Sequence, residues 1–154
     1  YVGSEAGSVA SIGFVKQGVE DTIAEGVPAD QIILGMPFYT RVWTLTPKET
    51  ASDSVDAASD DYVGYDTSSQ ALGMDDVQSL LATNGAVASW SEECGQNYAE
   101  YVNSGVTYQV WIEDAASLEK KLQVMKENNL AGAAFWKLGL ENANVWDTII
   151  KYVN

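Results

Sequence analysis

The chain has 154 residues, 46% of them hydrophobic and 19% charged, a composition typical of one globular unit with enough apolar material for a core. With 8 Lys and Arg against 22 Asp and Glu, the formal net charge is −14, which argues against a nucleic-acid partner because phosphate binding needs clustered cations. No apolar run approaches the roughly 20 residues of a membrane span, so we expect no membrane insertion.

Two residue types that serve many catalytic and metal sites are scarce. The sequence contains no histidine, which excludes a zinc site or a Ser-His-Asp triad within this chain. Cys94 is the only cysteine, so no internal disulfide is possible. We therefore predict no cofactor and no metal ion.

The first predicted helix follows Ser11, a residue type suited to capping a helix N-terminus. Its apolar residues recur at helical spacing, as Ile12, Val15, Val19 and Ile23. Gly26 and Pro28 then supply a stop signal. We expect the apolar stripe of this helix to pack on the outside of the strand that follows.

Residues 31–43, QIILGMPFYTRVW, join a buried-strand pattern to side chains suited to binding a sugar. The apolar run ends at Pro37, as in a parallel strand that is covered on both faces. Side chains just past such a strand lie where α/β folds place their chemistry. Here they are Tyr39, Arg41 and Trp43, two flat rings and a five-donor guanidinium. Core packing is the alternative, and we favour it for Trp43.

The middle of the chain predicts a small α+β unit. An Asp-rich stretch around Asp56 indicates a solvated loop, with a calcium site as the alternative. A short amphipathic helix carries Val77, Leu80 and Leu81. Residues 98–102 and 106–112 flank Asn-Ser-Gly, which predicts a β-hairpin with a three-residue connection. One face of its second strand should meet the helix.

The last part of the chain predicts a helix, a strand and a helix. Asp114 is expected to cap a helix whose apolar residues are Leu118, Leu122 and Met125. For Glu113, a carboxylate at a strand end, we weigh a sugar contact against a solvated charge. Residues 131–135 form a small, apolar strand that ends in Trp136, and residues 145–153 form the closing helix.

These segments resemble, in the same order, the end of the family 18 glycoside hydrolases, which are chitinase-like (β/α)8 barrels. The resemblance rests on ILGMPFYTRVW at residues 33–43 and on YQVWIEDAASLEKKLQVMKENNLAGAAFWKLGLE at residues 108–141. Residues 8–39 are similar to the helix and strand that lead into the seventh barrel strand. Residues 72–85 are similar to the family's small α+β insertion. Within the family, the chain looks most like the bacterial peptidoglycan and spore-cortex N-acetylglucosaminidases.

The resemblance implies an α/β fold, namely the C-terminal fragment of a (β/α)8 TIM barrel, about strands 7 and 8 with their helices, carrying a small α+β insertion domain. Residues 1–43 and 113–154 would form the partial barrel segment, and residues 44–112 the insertion. A whole barrel needs about 250 residues, whereas this chain has 154. We therefore interpret it as the C-terminal part of a longer enzyme.

The catalytic motifs of the family are not found in this sequence. In the family the general acid is the Glu of a D-x-x-D-x-D-x-E pattern on the fourth strand, and a Tyr-Asp pair follows on the sixth. The nearest imitation, ASDSVDAASDD at residues 51–61, has Ala58 in place of the third Asp and Asp60 in place of the Glu. We assign no catalytic residue to this chain and expect the isolated chain to be inactive.

Four residues are predicted to bind substrate: Trp136, Tyr39, Arg41 and Glu113. By resemblance, Trp136 is the tryptophan at the end of the last strand, the floor under the reacting N-acetylhexosamine, where a distorted sugar can stack on the indole. Tyr39 and Arg41 match the aromatic residue and the Arg of the family's F-Y-x-R segment, which border the same subsite. Thr40 stands where many chitinases have Gly.

The implied function is cleavage of β-1,4 bonds of N-acetylglucosamine-containing polysaccharides, either peptidoglycan or chitin, by substrate-assisted retaining catalysis. The implied location is extracellular, in the cell wall or spore of a bacterium. A chitinase-like lectin that binds glycans without hydrolysis is the alternative, and a structural module with core aromatics is a weaker one. Because a partial barrel has open strand edges, we also expect self-association through the exposed barrel strands.

Overall fold

A computed structural model describes residues 5–48 and 64–153, which form two β-sheets and four α-helices. The strands are β1 (Ile33–Pro37), β2 (Tyr39–Pro47), β3 (Tyr65–Gly73), β4 (Ser89–Ser91), β5 (Gln96–Asn103), β6 (Val106–Ile112) and β7 (Gly132–Trp136). The helices are α1 (Ile12–Ala24), α2 (Met74–Thr83), α3 (Ala115–Glu127) and α4 (Asn144–Val153). One sheet pairs β1 with β7 in parallel, and the other has the order β3-β2-β6-β5-β4.

Helix α1 forms where its apolar spacing and cap predict. Ser11 Oγ accepts the backbone N–H of Phe14, the bond expected of an N-cap residue. Val15 and Val19 are buried and pack with Leu34 of β1, so the helix covers the outside of β1 as predicted. No helix within the described ranges is long and apolar enough to cross a membrane.

The parallel pair buries one face and exposes the other, because alternate residues of a strand point in opposite directions. On the buried face, Met36 and Phe135 belong to a core that α3 and α4 complete with Leu118, Leu122, Val145 and Ile149. On the other face, Ile33 is 63% exposed and Trp136 is 70% exposed. The sequence pattern of a strand covered on both faces is therefore met on one face only, since the described residues supply helices on that side alone.

The five-stranded sheet carries α2 on one face. Its core consists of Val42, Val77, Leu81, Ala99, Tyr101, Val110 and Ile112, which confirms that one face of β6 meets the predicted helix. The hairpin of β5 and β6 pairs Asn103 with Val106. Its connection is thus the two residues Ser104 and Gly105, with φ of 52° and 80°, a turn with both central residues at positive φ rather than the predicted three-residue connection.

The second sheet begins earlier in the chain than the sequence predicts. β2 starts at Tyr39, which pairs with Gly73, and Arg41 pairs with Ala71, whereas we predict from the sequence that the small α+β unit begins at residue 44. Pro37 ends β1, and Phe38 alone separates it from β2. The side chains expected just past β1 therefore belong to β2 of the five-stranded sheet.

We predict that the chain self-associates through the exposed face and outer edges of the parallel pair. Among the described residues, β1 and β7 pair only with each other, so unpaired backbone groups lie beside the exposed Ile33. Light scattering at micromolar concentration should detect species heavier than the 16.6 kDa chain.

Ile33→Lys should shift this population toward the monomer, because a charge on the exposed face opposes burial against a second copy. Val87→Lys, at a position between α2 and β4 that is 85% exposed, is the matched control and should leave the distribution unchanged. A monomeric wild-type chain would contradict the prediction.

Candidate functional site

The carboxyl ends of β1 and β7 meet at one rim of the structure. Their parallel register pairs Pro37 with Trp136, and the backbone N–H of Phe38 donates to the carbonyl oxygen of Trp136 at 2.7 Å. Two segments that are distant in sequence thus end side by side, in the position where α/β folds place their ligands. Trp136 is 70% exposed, so its indole is accessible to a flat, apolar ligand surface.

Phe38 anchors this rim from the interior. The ring is fully buried, stacks on Phe135 at a centroid distance of 4.6 Å, and meets Trp146 edge-on at 5.8 Å. Burial of such a ring contributes about 1.5–3 kcal/mol, and aromatic pairing adds about 0.5–1.5 kcal/mol. The connection between β1 and β2 is therefore held in place, and so is Tyr39, the first residue of β2.

Tyr39 and Arg41 follow directly from this bend and lie on one face of β2, since their positions differ by two. Both side chains are half-buried. The Nη1 of Arg41 donates to Ser69 Oγ on β3 at 2.7 Å, which orients the planar guanidinium. The chain thus enters β2 at Tyr39 directly after the backbone contact between Phe38 and Trp136, and Arg41 follows two residues further along β2.

Trp43 is a core residue. Its side chain is 6% exposed, and its indole N–H donates to the carbonyl oxygen of Gly7 at 2.7 Å. A buried indole N–H needs such a partner. The preference for core packing over a sugar contact is confirmed for this residue.

Glu113 lies in the interior and not at the rim. It is 1% exposed, and Lys121 Nζ contacts its two carboxylate oxygens at 2.5 and 2.7 Å. Ser117 Oγ and Gln96 Nε2 donate to the same carboxylate at 2.8 and 2.7 Å. The prediction of a sugar contact at Glu113 is therefore wrong, and so is its alternative of a solvated charge, because all four hydrogen bonds come from three buried protein groups.

The spacing of two polar residues in α3 indicates this buried cluster. Ser117 and Lys121 lie four residues apart, on one face of α3, and each directly precedes a residue of the predicted apolar stripe. A lysine beside that stripe needs a buried partner. Asp114 does cap α3, since its carboxylate accepts the backbone N–H of Ser117 at 2.9 Å, which confirms its predicted role.

The electrostatics of Glu113 reflect two opposing causes. Burial raises the pKa of the Glu113 carboxyl above its ordinary value, while the charge and hydrogen bonds of Lys121 and the Ser117 hydroxyl act to lower it. A buried pair of this kind adds little net stability, but removing one partner is costly because the other charge stays in the interior.

No group of three His, Cys, Asp or Glu side chains in residues 5–48 and 64–153 is arranged to hold a metal ion. The Asp-rich stretch at residues 51–61, for which a calcium site was the alternative, lies outside the described residues. Of the four residues predicted to bind substrate, Trp136, Tyr39 and Arg41 remain in the candidate site, because Glu113 is buried.

We predict that Lys121→Met destabilises the chain by about 3–5 kcal/mol at neutral pH, because the Glu113 carboxylate then stays buried without its cation. The loss should shrink on acidification. Because burial raises the folded-state pKa of the Glu113 carboxyl, this group favours folding below its unfolded pKa of about 4.3, where it is protonated. That contribution is lost as the pH rises through the folded-state pKa. Urea unfolding at a series of pH values measures this effect.

Two companion variants sharpen the test. Lys120→Met removes the neighbouring exposed lysine and should change the free energy of unfolding by no more than about 0.5 kcal/mol. Glu113→Gln combined with Lys121→Met removes both buried charges and should recover most of the lost stability. Equal losses for the Lys120 and Lys121 variants would contradict the buried ion pair.

Known proteins are similar to this chain both in sequence and in architecture. The sequence profile of glycosyl hydrolases family 18 matches residues 4–141. The cortical fragment-lytic enzyme of Bacillus subtilis strain 168 is 27% identical over 147 residues, covering 95% of this chain and 30% of the relative. The spore cortex-lytic enzyme SleL of Bacillus megaterium QM B1551 has a TM-score of 0.76 and 26% identity, covering 100% of this chain and 32% of its own.

Human YKL-39, described as a pseudo-chitinase with retained chitooligosaccharide-binding properties, has a TM-score of 0.69 and 19% identity, covering 99% of this chain and 47% of its own. The chain spans about a third of the lengths of the two Bacillus proteins, at 30% and 32%. This partial coverage and the mixed α/β structure fit a TIM-barrel fragment. Since the profile match extends over most of the sequence, residues 4–141, the chain belongs to family 18 of the glycosyl hydrolases.

Proposed function

We propose that this chain is the substrate-binding, C-terminal portion of a hydrolase that cleaves β-1,4 bonds of N-acetylglucosamine-containing glycans, in peptidoglycan or chitin. The observation that carries the proposal is the rim where β1 and β7 end, with Trp136 exposed beside the bend that leads into Tyr39 and Arg41. An accessible indole offers a stacking surface, and a guanidinium offers planar donors, which together suit a sugar ring and its polar substituents.

The bacterial relatives support a cell-wall substrate. Their names describe lysis of the spore cortex or of its fragments. A location in the cell wall or spore of a bacterium, outside the cytoplasm, belongs to the same proposal. Peptidoglycan and chitin share the β-1,4-linked N-acetylglucosamine unit, so the rim residues serve either polymer.

The proposed reaction uses the substrate's own acetamido group. Its carbonyl oxygen attacks the anomeric carbon as the glycosidic bond breaks, and the leaving oxygen receives a proton from a general acid. Water then opens the resulting cyclic intermediate, so the anomeric configuration is retained. Trp136 would support the distorted sugar by stacking under it, and Arg41, oriented by Ser69, would donate to its oxygens. The general acid has to come from residues outside this chain.

We expect the purified 154-residue chain to release no nitrophenol from a chromogenic N-acetylglucosaminide. It would contribute sugar-binding residues to the site but no general acid. The comparison is a longer protein in which this sequence follows a complete set of barrel strands with the family's acidic motif. Turnover by the isolated chain would contradict the proposal that the general acid lies outside it.

In such a longer protein, Trp136→Ala should lower kcat/KM by about 10- to 100-fold, since losing a large stacked ring costs roughly 1.5–3 kcal/mol and each 1.4 kcal/mol is a factor of ten. Trp136→Phe should retain most of the activity, because a flat ring remains. Hydrolysis of chito-oligosaccharides and of peptidoglycan fragments provides the measurement.

Trp90→Ala is the matched control for this experiment. Trp90 is half-buried on β4, the edge strand that β6 and β5 separate from β2. Its loss should leave kcat/KM within about twofold. Equal effects at Trp90 and Trp136 would mean that activity responds to general destabilisation and would overturn the proposed function of the rim.

A glycan-binding protein without hydrolysis is the second candidate function. The observation that favours it is the fold shared with human YKL-39, which is described as a pseudo-chitinase that still binds chitooligosaccharides. Both functions would use the same rim residues. Calorimetric binding of chito-oligosaccharides by the longer protein, without any release of product, would support the lectin over the hydrolase.

A further inference from the structure

Thr40 lies between the two predicted sugar-binding residues of β2 and is fully buried. Because side chains alternate along a strand, it points away from the face that carries Tyr39 and Arg41. Its Oγ1 accepts the backbone N–H of Glu113 at 2.9 Å. The strand that leaves the rim is thus tied to the point where the chain leaves β6 and enters α3.

Glu113 is in turn held by its side chain. Its carboxylate is bound by Lys121 and Ser117 of α3 and by Gln96 of β5. All three donors are at most 1% exposed, so water does not compete for these bonds. The backbone N–H that Glu113 offers to Thr40 is therefore fixed relative to α3, a helix that packs directly beneath β1 and β7.

Residues 38–40 are consequently held at both ends. The backbone N–H of Phe38 is bound by the Trp136 carbonyl oxygen at the end of β7, and the hydroxyl of Thr40 is bound at the end of β6. Tyr39 lies between these two attachments, and Arg41 follows the second. These two bonds, together with the pairing of Tyr39 with Gly73 and of Arg41 with Ala71 on β3, set the direction in which both side chains leave the rim.

We propose that Thr40, Glu113 and Lys121 are positioning residues of the sugar site, in which the buried ion pair holds Glu113, Glu113 holds Thr40, and Thr40 orients Tyr39 and Arg41 beside Trp136. This inference rests on the proposed function of the rim. None of the three residues touches the sugar. They set the geometry of the groups that do.

Positioning and plain structural support have different kinetic consequences. A residue that only stabilises the fold changes the amount of folded protein, and therefore the apparent kcat, without changing KM. A residue that orients binding groups weakens their contacts with the ground state and the transition state alike, because hydrogen bonds are sensitive to distance and angle, so KM rises while kcat is largely kept.

The test compares Thr40→Val with Thr40→Ser in the full-length hydrolase that the proposed function requires. Valine keeps the shape but lacks the acceptor, whereas serine keeps the hydroxyl. Thr40→Val should raise KM for chito-oligosaccharides by about tenfold, and Thr40→Ser by no more than about twofold. Thr44→Val, a half-buried threonine on the same face of β2, is the matched control and should leave KM unchanged.

Hydrogen exchange provides a readout that does not depend on activity. A peptide covering residues 38–43 should exchange faster in Thr40→Val than in the wild type, and at the wild-type rate in Thr40→Ser, because the Thr40 hydroxyl ties this segment to the Glu113 backbone. Unchanged KM and unchanged exchange in Thr40→Val would overturn the proposal. A wild-type enzyme that neither binds nor cleaves N-acetylglucosamine glycans would instead overturn the proposed function, and the exchange rates would still decide whether Thr40 holds the segment.

The link through the ion pair is tested by combining variants. Glu113→Gln with Lys121→Met should raise KM in the same direction as Thr40→Val. If both act through one chain of contacts, adding Thr40→Val to this pair should raise KM no further. Fully multiplied effects on KM would show that the ion pair and the hydroxyl act separately, and would overturn the proposed order of contacts.

Discussion

Parallel pairing of β1 with β7 brings together two segments that lie far apart in the chain, and the other features of the site follow from it. The register pairs Pro37 with Trp136, so an exposed indole stands next to the bend at which β2 begins. The buried face of the same pair forms the core with α3 and α4. One hydrophobic layer therefore stabilises the fold and also fixes the rim.

The five-stranded sheet is attached to this rim at more than one place, which holds the start of β2 in position. Besides the bonds of Phe38 and Thr40, the backbone N–H of Met74 donates to the Leu140 carbonyl oxygen at 2.7 Å. At Gly73 an added Cβ would lie 3.1 Å from that same oxygen, so glycine permits this close approach. Elements with such limited freedom can hold the side chains of a binding site in fixed positions.

The elements predicted correctly from sequence are those with a strong local signal. The apolar spacing and cap of α1, the Asp114 cap of α3 and the hairpin of β5 and β6 all depend on near neighbours in the chain. Glu113 shows the limit of this reasoning, because its burial depends on Lys121 and Gln96, which only the tertiary structure brings to it. The early start of β2 was missed for a related reason, since its pairing with β3 and β6 is not visible in the strand's own residues.

The proposed site depends on Trp136, Tyr39 and Arg41 binding one sugar unit together. A crystal structure of the longer protein with a bound chito-oligosaccharide would show whether they do. We expect an N-acetylglucosamine ring stacked on the Trp136 indole, with Tyr39 or Arg41 in hydrogen-bond contact with the same ring. A sugar bound elsewhere, or a Trp136 that is covered by other barrel strands and inaccessible to it, would overturn the proposed site.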